Sequence, residues 1–155
     1  MFEQDSSGNM TKKLTLPNDL FLGEVEVLLR QGQPVRIKPR GRSMEPFIHE
    51  ETDEVILQKV RHLAVGQIVL AHLPEGNHVL HRVIRIKGDT VILMGDGNLH
   101  GTEQCTKHQV YGIVSQIIRG NKTINVFSKT VQIKAWIWRI LLPFRGIFLN
   151  IFLFI

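Results

Sequence analysis

Apolar residues change their spacing twice along this 155-residue chain. Between Asn18 and Gly32 they recur at helical intervals, as Leu20, Phe21, Val25, Leu28 and Leu29. That pattern predicts a helix over Asp19 to Gln31, with Asn18 as its N-cap and Gly32 placed to stop it. From Pro34 the apolar runs become short and are separated by turn residues, the texture of a β-rich domain. Strands are expected at Val35 to Lys38, Glu54 to Lys59, Gln67 to His72, His78 to Ile86, Thr90 to Met94 and Val110 to Arg119. A short one is expected at Thr123 to Phe127. Glu75-Gly76-Asn77 and Lys87-Gly88-Asp89 are compact enough to close hairpins. Met1 to about Thr15 is polar and reads as loose chain.

The third texture lies at Ala135 to Ile155, AWIWRILLPFRGIFLNIFLFI, the most hydrophobic stretch of the sequence. A spanning helix wants about 20 apolar residues with few charges. Arg139, Pro143, Arg145 and Asn150 interrupt this one, so a helix lying in a membrane interface fits better than a crossing one. Packing of the segment on the β-domain or on a second copy is the competing expectation. The pattern divides the chain into a polar tail and N-terminal helix (1–33), a β-domain (34–128) and a hydrophobic C-terminal segment (129–155).

Composition narrows the classes. The length suits one domain with a real core. An excess of 19 Lys+Arg over 14 Asp+Glu leaves a formal charge of +5, compatible with an anionic membrane surface or a nucleic acid. The single cysteine, Cys105, excludes an internal disulfide framework and a thiol-based zinc site. The opening residues lack the basic and apolar regions of a secretory signal, so none is expected. Phosphate-loop and dinucleotide fingerprints are absent, and the 7 histidines make no paired metal-binding helix motif. No cofactor and no metal are expected.

What carries chemistry is an ordered series of short motifs. G-R-S-M-E-P spans Gly41 to Pro46, T-D-E-V-I spans Thr52 to Ile56, and V-G-Q-I-V spans Val65 to Val69. H-R-V-I follows at His81 to Ile84, G-D-G-N at Gly95 to Asn98, and Y-G-I-V at Tyr111 to Val114. Taken alone, Ser43 reads as a turn residue, His81 as a strand histidine packed between Val79 and Val83, and Asp96 as a turn-former between glycines. Together, and in this order, the motifs resemble the signal peptidase I superfamily of serine peptidases, whose fold is shared with the self-cleaving repressors of the SOS response. The resemblance covers roughly Pro34 to Arg119.

It implies a mainly β peptidase fold with an N-terminal helix and, here, a C-terminal hydrophobic helix. It also implies that Ser43 is the nucleophile and that His81, where other members place lysine, is the base, as in the endoplasmic-reticulum-type branch. A serine hydroxyl needs such a base, and a neutral imidazole serves without burial, whereas a lysine must be desolvated. An acid should orient the histidine. Asp96 and Glu103 are the two candidates, the family spacing pointing to Thr102 or Glu103, of which only Glu103 is acidic. Gly41, Met44 and Pro46 fall beside the expected substrate path, with Met44 also suited to core filling. The Ser43 N–H is the expected oxyanion donor. Some members add a serine hydroxyl two residues earlier, where this chain has Gly41. Arg82 and Asp53 read as structural.

The resulting expectation is a membrane-associated serine endopeptidase cleaving a leader or precursor peptide. Lys129, Lys134, Arg139 and Arg145 lie nearest the hydrophobic segment, and the positive-inside tendency then puts the catalytic domain on the cytoplasmic side. One alternative is an inactive peptide-binding or assembly module of the same fold. Another is a self-cleaving DNA-binding repressor, for which the residues before Ser43 offer too little for a helix-turn-helix unit, so no nucleic acid is expected. Oligomeric state stays open.

Overall fold

Helix α1, Asn18–Arg30, forms where the apolar spacing requires it, one residue from the expected bounds. Val25 and Leu29, one turn apart, are fully buried, and Phe21, Leu22 and Leu28 pack at the margin. Such burial contributes roughly 1.5–3 kcal/mol per large apolar side chain. Gly32, at φ 83°, ends the helix, its N–H donating to the Leu29 carbonyl and the next N–H, of Gln33, to that of Leu28. The computed structural model describes residues 2–4, 10–13 and 18–154, with side chains from 21 to 151. The expected Asn18 cap and the Leu20 side chain lie outside the described side chains.

Among the described residues ten strands form one sheet. In chain order they are β1 Phe2–Gln4, β2 Met10–Lys13, β3 Val35–Ile37, β4 Asp53–Gln58, β5 Ile68–His72, β6 His78–Lys87, β7 Thr90–Met94, β8 Glu103–Thr106, β9 Val110–Arg119 and β10 Lys122–Asn125. The spatial order is β1-β2-β3-β4-β9-β5-β6-β7-β8, with β10 also paired to β9. All pairings are antiparallel except β2 with β3. The mainly β fold is therefore as expected. Both expected hairpins form, β5–β6 across Leu73 to Asn77 and β6–β7 across Gly88-Asp89.

Three segments depart from expectation. The N-terminal stretch read as loose contributes β1 and β2, the latter extending the sheet beside β3. Strand β8 was not foreseen. The C-terminal segment is two helices, α2 Lys129–Ile140 and α3 Arg145–Phe154, because Pro143 interrupts the run at a short 3₁₀ turn over Leu142–Phe144. Among the described residues no helix is long and apolar enough to cross a membrane.

Period-two alternation sends the two faces of the sheet into two cores. Ile68 and Leu70 of β5 join α1, β3 and β4 in one, with Met44, Ile48, Tyr111 and Val114. Val69 and Ala71 join Val83, Val91, Leu93, Cys105 and Ile113 in the other. Burial pushes the Cys105 thiol above its ordinary pKa, so it packs as a small hydrophobe. Asp53 opens β4 fully buried; its carboxylate accepts from the Arg119 guanidinium at 2.8 and 2.6 Å and from the His49 N–H at 2.9 Å. Burial alone would raise that carboxyl, but Arg119 and His49 outweigh it and hold the pKa below the usual range.

Candidate active site

Ser43 sits in the turn between β3 and β4. Gly41, at φ 87°, starts the reversal; Glu45 N–H then donates to the Arg42 carbonyl, and the Phe47 and Ile48 N–H groups to that of Met44. Met44 and Ile48 are buried in the first core and pin the turn from below, leaving Ser43 half-buried at its surface. Met44 thus fills the core. Pro46 follows Glu45 through a cis peptide bond.

A second loop, Gly95 to Asn98 after β7, clamps this turn. The Gly97 N–H donates to the Ser43 carbonyl at 2.8 Å. A Cβ on Gly95 would come closer than 3.0 Å to that same oxygen, and one on Gly97 would stand 2.8 Å from the Arg42 carbonyl. Two backbones meet here at a separation only glycine permits.

His81 projects from β6 on the face shared with Val79 and Val83, its side chain 7% exposed. Its Nε2 lies 3.0 Å from the Ser43 Oγ, and its Nδ1 lies 2.9 Å from Glu103 Oε2. Glu103 is the first residue of β8, and register explains its position. Val83 pairs with Leu93, and Leu93 with Glu103, so the acid is carried onto the face that His81 uses. Ser43, His81 and Glu103 thus form one hydrogen-bonded chain.

Asp96 does not enter that chain. Its carboxylate accepts from Arg82 Nε at 2.8 Å and Nη2 at 2.6 Å, both side chains buried. Arg82 Nη1 also donates to the Gly66 carbonyl at 2.7 Å, and the guanidinium lies 4.9 Å from the centre of the Phe47 ring. This pair is the strut under the Gly95–Asn98 loop, and the structural reading of Arg82 holds.

Sequence reasoning missed Trp138. From α2 its indole Nε1 donates to the Asp96 carbonyl at 2.8 Å, and its ring meets Phe47 edge-on at 6.4 Å. Arg145 of α3 lies over the same indole at 5.5 Å and donates to the Trp138 carbonyl at 3.3 Å. Burial lowers the Arg145 pKa, nearby Asp96 opposing the shift in part, and its Nη1 has no hydrogen-bond partner among the described residues. Because Trp138 and Arg145 lie on different helices either side of the Leu142–Phe144 turn, helical spacing in the sequence did not pair them.

The family model for Peptidase S24-like proteins matches residues 3–118. The chain belongs to the Peptidase S24-like family. The S24-like match begins at β1, well before the motif series, so it spans the strands that polarity had hidden. It supports the superfamily that joins signal peptidase I to the SOS repressors, and with it a serine-peptidase-type fold and the peptidase class. A search of curated proteins finds none that matches the chain.

Among the described residues a further cluster of titratable side chains stands apart from Ser43, His81 and Glu103. Glu26, His72 and His78 bring ligand atoms within 4.8 Å of one another at the α1 corner. The two rings stack 4.4 Å apart with planes 9° from parallel. In-plane lone pairs of stacked rings do not converge on one ion, so the arrangement is a packing contact. Tyr111, edge-on to His78, completes it. Burial first, and then Glu26, raise the Tyr111 hydroxyl's pKa above its ordinary value.

Proposed function

We propose that this S24-like protein is a serine endopeptidase in which Ser43 is the nucleophile, His81 the general base and Glu103 the acid that orients it. The observation that carries the reading is the chain of hydrogen-bond distances, 3.0 Å from Ser43 Oγ to His81 Nε2 and 2.9 Å from His81 Nδ1 to Glu103 Oε2. Glu103, accepting from Nδ1–H, fixes the tautomer that leaves Nε2 free to take the serine proton. As Oγ attacks a peptide carbonyl, its proton passes to Nε2. The tetrahedral oxyanion accepts a hydrogen bond from the Ser43 N–H, and collapse gives an acyl-serine while His81 hands its proton to the leaving amine. Water, deprotonated by His81 in turn, releases the acid product.

The histidine at this place aligns the chain with the branch resembling reticulum-type enzymes, and a leader or precursor peptide is the proposed substrate. Gly41 and Pro46 border the path an extended peptide would follow beside Ser43, a mode in which strand-like backbone pairing supplies affinity. The second reading, an inactive binding module, draws on Gly41, which offers no hydroxyl for the oxyanion.

Co-expression with candidate precursor peptides separates the two. Cleavage lost in both Ser43→Ala and His81→Ala, with folding intact, supports the enzyme. Processing that persists in both variants sinks the mechanism, and a wild-type protein that binds the peptide without cutting it or acylating Ser43 is the binding module.

A further inference from the structure

Helices α2 and α3 have two unlike faces. The inner one is specific and buried: Ala135, Trp138, Arg145 and Leu149 press on the body, and Gln132 donates to the Val126 carbonyl at 2.8 Å. The outer one is apolar and bare. Trp136, Ile140 and Phe144 are 58%, 56% and 57% exposed, and Ile133, Ile147 and Ile151 continue the surface at 58%, 62% and 50%. Contiguous exposure on this scale marks an interaction site.

Charge identifies what would cover it. No Asp or Glu occurs between Gln104 and Ile155, whereas Lys129, Lys134 and Arg139 stand exposed on α2 beside the apolar side chains. Apolar and aromatic residues flanked by lysine and arginine, with no acid among them, match an anionic lipid interface. Among the described residues neither helix is long enough to cross: at 12 and 10 residues, α2 and α3 reach about 18 and 15 Å, against a hydrocarbon core of about 30 Å. We propose that the exposed apolar side chains of α2 and α3 dock on an anionic lipid surface, while the buried side of α2, through Trp138 and the Asp96 carbonyl, carries the Ser43 turn with it. The docking rests on the exposed face alone; only its consequence for the site rests on the peptidase reading.

Sedimentation with vesicles tests it, because lipid binding needs no cleavage and can fail or succeed apart from the enzyme. The full chain is expected to partition onto phosphatidylcholine vesicles doped with phosphatidylglycerol, with a blue shift of Trp136 emission, and to bind pure phosphatidylcholine weakly. Trp136→Glu with Ile147→Glu should abolish partitioning without lowering Tm, both positions being solvent-exposed. Lys134→Gln with Arg139→Gln should lower the partition coefficient by roughly tenfold or more, and added salt should weaken binding in the same sense. Equal binding to both vesicle types, or no binding to either, overturns the proposal. So does a dimer, broken by the same Trp136 and Ile147 changes, that leaves vesicles untouched: the face would then belong to a second copy of the chain.

Discussion

The indole Nε1–H of Trp138 donates to the main-chain carbonyl of Asp96 at 2.8 Å. One residue on, the Gly97 N–H holds the Ser43 carbonyl at 2.8 Å. A C-terminal helix and the Ser43 turn are therefore joined through the Gly95–Asn98 loop. Trp138→Phe keeps the ring and removes the donor. It is expected to cost about 1 kcal/mol of stability and to reduce kcat several-fold with KM little changed, because the loop would relax under the Ser43 turn. Steady-state kinetics on a cleaved peptide, beside thermal melts, checks both.

Gly95→Ala should do more. The added Cβ meets the Ser43 carbonyl closer than 3.0 Å, and neither backbone can yield cheaply. Displacing Oγ from Nε2 by about 1 Å costs on the order of 100-fold in rate. Acylation by a serine-directed probe is expected to fall accordingly while circular dichroism keeps its β signature. Undiminished acylation would show that the turn does not rest on Gly95.

The two acids are separable by what they lose. Glu103→Gln should leave Tm nearly unchanged and reduce kcat by about 10⁴-fold, the effect of disturbing the tautomer in such a chain. Asp96→Asn should instead destabilise the fold by about 3–5 kcal/mol, since it leaves Arg82 buried without its counter-charge. Denaturant melts and kcat measured on both variants distinguish the roles; interchanged results would reassign them.

Asp53 gives the stability a pH dependence of known sign. Its folded pKa lies below the unfolded value, so its contribution is fully present above the usual carboxylate range and is lost as pH falls through the lowered value. Asp53→Asn should cost about 2 kcal/mol at neutral pH, less than a wholly buried pair because Arg119 is 36% exposed. Its stability curve should be flatter than wild type on acidification, as urea melts from neutral to acid pH would reveal.

Much of this architecture could be read in the residues. The α1 spacing, the short apolar runs of β5, β6 and β9 and both hairpin loops follow from periodicity and turn chemistry. Strand β8 did not declare itself because Glu103-Gln104-Cys105-Thr106 has one apolar residue, Cys105, and an edge strand with a single neighbour needs no more. β1 lies at the opposite edge with β2 as its neighbour, and the mostly polar sequences FEQ and MTKK hid both strands, although β2 is paired on both sides. The choice between Asp96 and Glu103 was open in sequence: the family spacing pointed to Thr102 or Glu103, while Asp96 was the acid within the G-D-G-N motif itself. Strand register distinguishes their surroundings: Arg82 faces Met94, which leads directly into Asp96, while the row from Val83 through Leu93 delivers Glu103 to His81. The part of Trp138 was hidden because the hydrophobicity of its segment reads as one property, whereas the fold uses one face of it for specific contact.

Strand β8 is four residues long and pairs among the described residues only with β7, whereas β9 is bonded to β4, β5 and β10. Opening free energy follows such differences, lowest at a short edge and highest at a strand held from both sides. Glu103 therefore rides on a short edge strand, whereas His81 lies on the ten-residue β6, which is paired on both sides. On warming, Glu103 should leave His81 before the sheet melts, so that heat inactivation and amide exchange at Glu103 to Thr106 run together, ahead of global unfolding.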